Sequence, residues 1–452
     1  MKKVITYGTF DLLHSGHINL LKRAKELGDY LVVGITSERY DINRDKLNVH
    51  QSLAERIENV KKTGLADKII VEEELGQKIE DIQKYNIDTF VIGSDWTGKF
   101  DYLKEYCEVV YLPRTQGVSS TELRNKEHGI IKLGIIGHGR IAKRFLIESK
   151  YVSGIDVVSV FGIEKNELEN FAKTYEIQNS YLNLDDFYKS IDAVYIATPH
   201  LSHFEYAKQS LLNNKHVLCE KPLSFSTQEV TYLTQLAQEK NLIIFEAIKT
   251  AYCPGFQQLI SIAKSGIIGS IKNVNATFTK LVHDKTLREY DIHAGGAFNE
   301  LASYPLLAII KILGSNYKKN SFISCLDQQT GVDIFTKGEL LYSTATATLT
   351  VGIGVKQEGE LIVSGTKGYI YVPAPWWKTE YFEVRFENPN ENIKYYQKFS
   401  GDGLRYEISD FLTSIHTKKK NYKLSDKDSL AIASVFEDYH KQSKLKMLDI
   451  IN

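Results

Sequence analysis

Residues 133–142 read Leu-Gly-Ile-Ile-Gly-His-Gly-Arg-Ile-Ala, and residues 215–222 read Lys-His-Val-Leu-Cys-Glu-Lys-Pro. The first segment is an apolar strand that turns through Gly137-His138-Gly139 into a helix opened by Arg140 and Ile141. Glycines at such a turn let a pyrophosphate approach the backbone, and the start of a helix favours negative charge. A lone GxGxxA is a weak signal; here a strand precedes it, a helix follows it, and a second strand pattern lies at 157–161. The second segment is a strand that delivers Lys221 to the mouth of the same sheet. A lysine enclosed there has its pKa lowered and can orient or protonate a carbonyl oxygen. The nearest acidic candidate for reading the cofactor ribose, Glu164, sits later than the usual spacing, so the pattern does not choose between NAD and NADP.

Toward the N-terminus, strand patterns at 4–7, 30–35, 68–71, 89–92 and 109–112 alternate with helical ones at 18–27, 53–62 and 77–85. This alternation predicts a doubly wound parallel α/β sheet. The first strand runs into Gly8-Thr9-Phe10-Asp11-Leu12-Leu13-His14-Ser15-Gly16-His17. Gly8 and Gly16 admit a phosphate close to the backbone. His14 and His17, three apart at a helix start, put two imidazoles on one face beside free N–H groups. That arrangement holds a nucleoside triphosphate and stabilises charge on its α-phosphate during in-line attack.

Toward the C-terminus, long alternating runs at 274–282, 341–351, 360–363 and 368–372 predict a large, mostly antiparallel sheet. Between them lies Gly295-Gly296-Ala297-Phe298-Asn299-Glu300-Leu301-Ala302-Ser303-Tyr304-Pro305. It predicts a helix with Glu300 and Tyr304 on one face at i, i+4. Trp376 and Trp377 read as packing in preference to a sugar-stacking platform. Helical patterns at 406–416 and 425–442 finish the chain. The expected division is 1–128, a doubly wound domain; 129–250, a dinucleotide-binding domain; and 251–424, an α+β domain, with the last helix packing back on the middle one.

At 452 residues the chain is too long for one ordinary domain. Lys and Arg total 56, and so do Asp and Glu, so no global field favours nucleic acid or an anionic membrane. No apolar run approaches the ~20 residues a membrane span needs, and the start of the chain is no signal peptide. The four cysteines are scattered without metal-ligand spacing, which suits a reducing cytoplasm.

Residues 1–125 resemble the glycerol-3-phosphate cytidylyltransferases of the nucleotidyltransferase superfamily. The resemblance rests on the string around His14 and His17, on 93–101 (Gly-Ser-Asp-Trp-Thr-Gly-Lys-Phe-Asp) and on 114–121 (Arg-Thr-Gln-Gly-Val-Ser-Ser-Thr). It implies CTP, Mg²⁺ carried on the triphosphate, and a polyol phosphate acceptor. His14, His17, Arg114, Thr115, Ser119 and Thr121 would then contact the triphosphate and its leaving pyrophosphate. Thr9, Phe10 and Asp11 would shape the nucleotide pocket, and Arg44 and Lys46 would reach the phosphates. One departure stands out: Gly64 occupies the place of an arginine that relatives direct at glycerol phosphate, with Lys61 and Lys62 nearby.

Residues 131–450 resemble the Gfo/Idh/MocA oxidoreductases, through the run ending Thr198-Pro199-His200, through His203, and through Glu220-Lys221-Pro222. The resemblance implies that Thr198, Pro199 and His200 line the nicotinamide pocket and that Glu220 and Lys221 meet cofactor and substrate. His203 reads equally as a cofactor contact or a plain helix residue. Glu300 stands where the family has an aspartate, and Tyr304 is the expected proton donor. An association of like chains through the open face of the large sheet is also implied. The two halves together suggest reduction of a sugar or sugar-phosphate carbonyl to a polyol phosphate that is then joined to CMP, feeding teichoic-acid-like or capsular polymers. The open alternatives are a reductase acting on an unrelated or nucleotide-linked sugar, and a cofactor-binding dimerisation scaffold.

Overall fold

A computed structural model describes residues 1–13, 15–43, 46–49, 51–74, 76–113, 129–419, 423–441 and 446–447. His14, Arg44, Arg114, Thr115, Ser119 and Thr121 lie outside the described residues. The chain divides into two compact units, Met1–Ala193 and Val194–Asn452.

The first unit opens with five parallel strands: β1 Lys3–Gly8, β2 Tyr30–Thr36, β3 Lys68–Glu72, β4 Thr89–Gly93 and β5 Glu108–Leu112. Their order is β3-β2-β1-β4-β5. The winding reverses between β1 and β4, so the crevice for a ligand opens beyond the end of β1. Two apolar layers cover the sheet. One joins Val4, Leu31, Val33 and Val91 to Leu21 and Ala24 of the helix Ser15–Glu26. The other joins Ile5, Val32 and Phe90 to Ile82 of the helix Gln77–Tyr85. The helix Leu53–Lys62 starts at a capping box, in which Ser52 and Glu55 satisfy each other's backbone N–H.

A second sheet comprises β6 Ile131–Ile136, β7 Ile155–Phe161, β8 Asn179–Tyr181, β9 Ala193–Ile196, β10 His216–Glu220 and β11 Ile244–Ala247. Its order, β11-β10-β9-β6-β7-β8, is that of a dinucleotide-binding doubly wound fold.

The third sheet holds β12 Ile271–Thr279, β13 Lys319–Leu326, β14 Asp333–Leu341, β15 Thr346–Gly352, β16 Leu361–Gly365, β17 Gly368–Val372, β18 Tyr381–Phe386, β19 Ile393–Tyr396 and the two-residue β20 Lys446–Met447. The order is β19-β18-β17-β16-β12-β15-β14-β13-β20. Neighbours are antiparallel except β12 with β15 and β13 with β20. The apolar run at 341–351 is therefore two strands. Tyr342 donates its N–H to Ala345 at 2.9 Å and turns the chain between β14 and β15. Trp376 is wholly buried and donates Nε1–H to the Thr277 carbonyl at 2.7 Å, while Trp377 stacks on Phe278 at 3.7 Å. Both tryptophans are packing residues.

Candidate active sites

In the first unit, the loop after β1 is held in a shape few sequences accept. Phe10 and Leu12 have φ of 52° and 45°, a region uncomfortable for residues with a Cβ. Side chains from below over-determine it. Asp11 Oδ1 accepts from the Gln51 N–H at 2.9 Å, and the Leu12 N–H donates to Gln51 Oε1 at 2.9 Å. Arg56 is wholly buried and donates to the carbonyls of Thr9 at 2.9 Å and Thr36 at 2.8 Å. Its guanidinium lies 3.3 Å from Asp41, whose carboxylate also accepts the hydroxyls of Thr9 and Thr36. Neither Arg56 nor Asp41 was foreseen as part of this loop. The sequence did carry a signal: Leu53, Arg56 and Val60 share one helix face, and an arginine on an apolar stripe needs a buried partner.

Phe10 is 1% exposed and its ring meets His17 edge-on at 5.4 Å. Lys46 Nζ donates to the Lys150 carbonyl at 2.7 Å.

The glycine turn after β6 fits a dinucleotide. Gly137 has φ +97°, where a side chain is strained. Gly139 caps the helix Arg140–Ser149 without any side-chain hydrogen bond. A Cβ placed on Gly139 would meet nothing within 4 Å. The first turn of this helix thus faces open space, as a pyrophosphate requires. His138 is turned aside, with Nε2 3.2 Å from the Glu167 carboxylate. Glu164 is exposed at the N-cap of the helix Lys165–Thr174.

In the second unit, β10 carries Lys221 into an enclosed position, 9% exposed. Its Nζ donates to the main-chain carbonyl of Glu300 at 2.6 Å and stands 6.0 Å from the centre of the Tyr304 ring. Burial pushes the Lys221 pKa down, against the opposing pull of Glu300 and Glu220. Glu220 accepts the Tyr195 hydroxyl at 2.6 Å and the Lys221 N–H at 3.3 Å. The Glu300 carboxylate lies 3.3 Å from Arg288 and 3.7 Å from His200 Nε2. His200 Nδ1 is 3.3 Å from the Ala294 carbonyl, and burial, then Lys221, lowers its pKa, so the ring is neutral.

His203 is wholly buried, with Nδ1 2.7 Å from the Pro222 carbonyl and Nε2 2.9 Å from the Thr198 carbonyl. Burial pushes its pKa to about 4, so it carries one N–H and donates to one carbonyl at a time. Its ring faces the protein and clasps the Thr198-Pro199 turn to the loop after β10. Both ring nitrogens of His203 are thus within hydrogen-bond distance of main-chain carbonyls of its own protein.

Glu300 and Tyr304 lie on two short helices, Ala297–Leu301 and Ser303–Leu313. Pro305 has no N–H for the Leu301 carbonyl, which accounts for the break at Ala302. The Tyr304 ring meets Phe278 edge-on at 5.1 Å. Among the described residues its hydroxyl makes no hydrogen bond. Burial raises its pKa, so it stays protonated and able to donate. The lysine ammonium and this phenol are the groups that can supply a proton to a carbonyl oxygen. Arg288 was missed by sequence reasoning, because its loop has no periodicity to mark it. Among the described residues no cluster of His, Cys, Asp or Glu could hold a metal ion, and no helix is long and apolar enough to cross a membrane.

Known proteins resemble both parts of the chain. A cytidylyltransferase-like family model matches residues 5–126, and an oxidoreductase model with an NAD-binding Rossmann fold matches residues 131–248. The chain is 56% identical over 124 residues to glycerol-3-phosphate cytidylyltransferase of Bacillus spizizenii, covering 27% of this chain and 95% of that one. It is 24% identical over 321 residues to trans-1,2-dihydrobenzene-1,2-diol dehydrogenase of Xenopus tropicalis, covering 69% of this chain and 97% of that one. A 3-ketoreductase from Actinomadura kijaniata, solved with NADP, superimposes with a TM-score of 0.62 at 21% identity, covering 68% of this chain and 96% of that one. The chain belongs to the cytidylyltransferase-like family through its N-terminal part and continues into a Gfo/Idh/MocA oxidoreductase with an NAD(P)-binding Rossmann domain.

Proposed function

We propose that the N-terminal part transfers CMP from CTP to a polyol phosphate of the glycerol phosphate type, releasing pyrophosphate. The observation that carries this is the 56% identity to a glycerol-3-phosphate cytidylyltransferase across nearly the whole of that enzyme. His17, with His14 outside the described residues, stabilises the charge developing on the α-phosphate. Thr9 and Asp11 shape the nucleotide pocket, Lys46 serves the phosphates together with Arg44, and Arg114, Thr115, Ser119 and Thr121 hold the leaving pyrophosphate. Mg²⁺ arrives on the triphosphate. With Gly64 in place of an arginine, either Lys61 or Lys62 takes over its role or the polyol phosphate differs from glycerol phosphate.

The oxidoreductase part reduces a sugar or sugar-phosphate carbonyl and supplies the polyol phosphate. When bound at the glycine turn, the nicotinamide cofactor provides the hydride. Lys221 orients the carbonyl oxygen and Tyr304 donates the proton. Glu300 places Lys221 through its main-chain carbonyl, while Arg288 holds its carboxylate. The domains are 1–128, 129–250 and 251–424, the setting is cytoplasmic, and the chain forms a homo-oligomer. The test supplies CTP, Mg²⁺ and NAD(P)H with candidate triose and pentose phosphates and detects CDP-polyol by mass spectrometry. CDP-polyol from the carbonyl substrate supports the sequence of steps. CDP-polyol only from ready-made polyol phosphate overturns it.

A further inference from the structure

Within the first unit, the transferase loop carrying Lys46 is seated on the turn that follows the reductase's first helix. Leu47 and Val152 form an isolated parallel bridge. The Leu47 N–H donates to the Tyr151 carbonyl at 2.8 Å, and the Ser153 N–H donates to the Leu47 carbonyl at 2.9 Å. Lys46 Nζ sits 2.7 Å from the Lys150 carbonyl. A second transferase loop rests on the same seat. Trp96 meets Tyr151 edge-on at 6.1 Å, and Lys99 donates to the Tyr151 hydroxyl at 3.0 Å. Nearby, the Ser94 hydroxyl donates to Glu176 at 2.6 Å. The seat, 150–153, is the turn that ends the helix Arg140–Ser149, the helix whose other end is the glycine turn.

Residues 46 and 47, between the helices Glu38–Asn43 and Leu53–Lys62, are held by these contacts. Ordering a loose residue costs ~1–2 kcal/mol of backbone entropy, so a segment fixed before its ligand arrives binds that ligand more tightly. The Lys150 carbonyl is a neutral acceptor. A phosphate oxygen forms a stronger, charge-assisted bond and takes the ammonium from it without unseating Leu47.

We propose that the 150–153 turn of the reductase is a positioning element for cytidylyl transfer, holding Lys46 and Leu47 where the triphosphate is met. This rests on the reading that Lys46 serves the CTP phosphates. The experiment uses the full chain and measures KM for CTP and kcat of transfer, with NAD(P)H binding as the check on folding. Ser153→Pro removes the N–H that Leu47 uses, and Tyr151→Ala removes the seat for Trp96 and Lys99. Each is expected to raise KM for CTP about ten-fold, with kcat within about two-fold of wild type. The conservative Tyr151→Phe restores most of the loss. Lys46→Ala separates the two readings. If it leaves KM unchanged, the assignment of Lys46 to CTP fails. If it raises KM while the two seat variants bind NAD(P)H and do not, the positioning role is overturned. Amide exchange of the wild-type chain gives a second check that needs no variant: protection at Leu47 and Ser153 before CTP is added supports the seat, and free exchange there overturns it.

Discussion

Arg56 and Asp41 form a wholly buried ion pair, 3.3 Å apart, beneath the loop that carries Thr9. Removing one member of such a pair leaves the other charge without compensation in the interior, typically costing about 3–5 kcal/mol. Arg56→Ala also frees the carbonyls of Thr9 and Thr36 that the guanidinium ties together. The expected outcome is a lowered denaturation midpoint for the transferase part, with NAD(P)H binding retained. Arg56→Lys keeps the charge but not the forked donors and should recover only part of the loss. A midpoint unchanged in Arg56→Ala would show that the pair is dispensable.

Tyr304 offers a cleaner division between structure and chemistry. Its hydroxyl has no hydrogen bond among the described residues, so Tyr304→Phe removes nothing that the fold uses. The ring contact with Phe278 survives. Reductase kcat is expected to fall about 10²–10⁴-fold, the range for a lost general acid. Thermal stability and cytidylyl transfer stay at wild-type levels. Equal reductase kcat in the two proteins would reassign the proton to Lys221.

Where the sequence was legible, the reason was physical. Gly137 announces a phosphate turn because its φ of +97° admits little else, Gly139 does so because a pyrophosphate must approach it closely, and the strand before them is largely apolar. The strands β13, β14, β18 and β19 were not foreseen. β13 and β14 alternate buried and exposed residues but carry charged residues such as Lys319, Lys337 and Glu339 on the open side, and a short window hides that period. The merged strand at 341–351 failed for a different reason: Tyr342-Ser343-Thr344-Ala345 turns the chain without glycine, proline or asparagine. Near Lys221, the sequence placed Glu300 and Tyr304 on one helix face, whereas Pro305 divides that stretch into two helices, Ala297–Leu301 and Ser303–Leu313. Arg288 reaches Glu300 and Arg56 reaches Asp41 only through tertiary packing.

His203 predicts a pH response. Its pKa falls from 6.5 to about 4 on folding, chiefly through burial. Between those values the unfolded chain binds more protons than the folded one, so stability decreases as pH falls from 6.5 toward 4. Fully developed, the effect is about 3 kcal/mol. Glu246, raised to about 7, and Asp333, also raised to about 7, act in the opposite direction over an overlapping range. The signal is therefore read as a difference. Stability of His203→Asn minus that of wild type should rise as pH drops from 6.5 to 4. A difference independent of pH would mean that the ring is charged in the folded protein.

Gly139 separates the fold from the cofactor. Its φ of −76° and ψ of −170° suit any residue, and a Cβ there would touch no protein atom within 4 Å. Gly139→Val should therefore leave the denaturation midpoint within about 0.5 kcal/mol of wild type, as for a substitution in open space. The same side chain occupies the space in front of the helix Arg140–Ser149 that a pyrophosphate must enter to reach the first N–H groups. NAD(P)H affinity, followed by fluorescence titration, is expected to fall at least about ten-fold, and reductase turnover with it. Gly137→Val provides the contrast: φ of +97° strains any side chain, so there stability falls as well. If Gly139→Val bound NAD(P)H as tightly as wild type, the dinucleotide would have to lie elsewhere than on this turn.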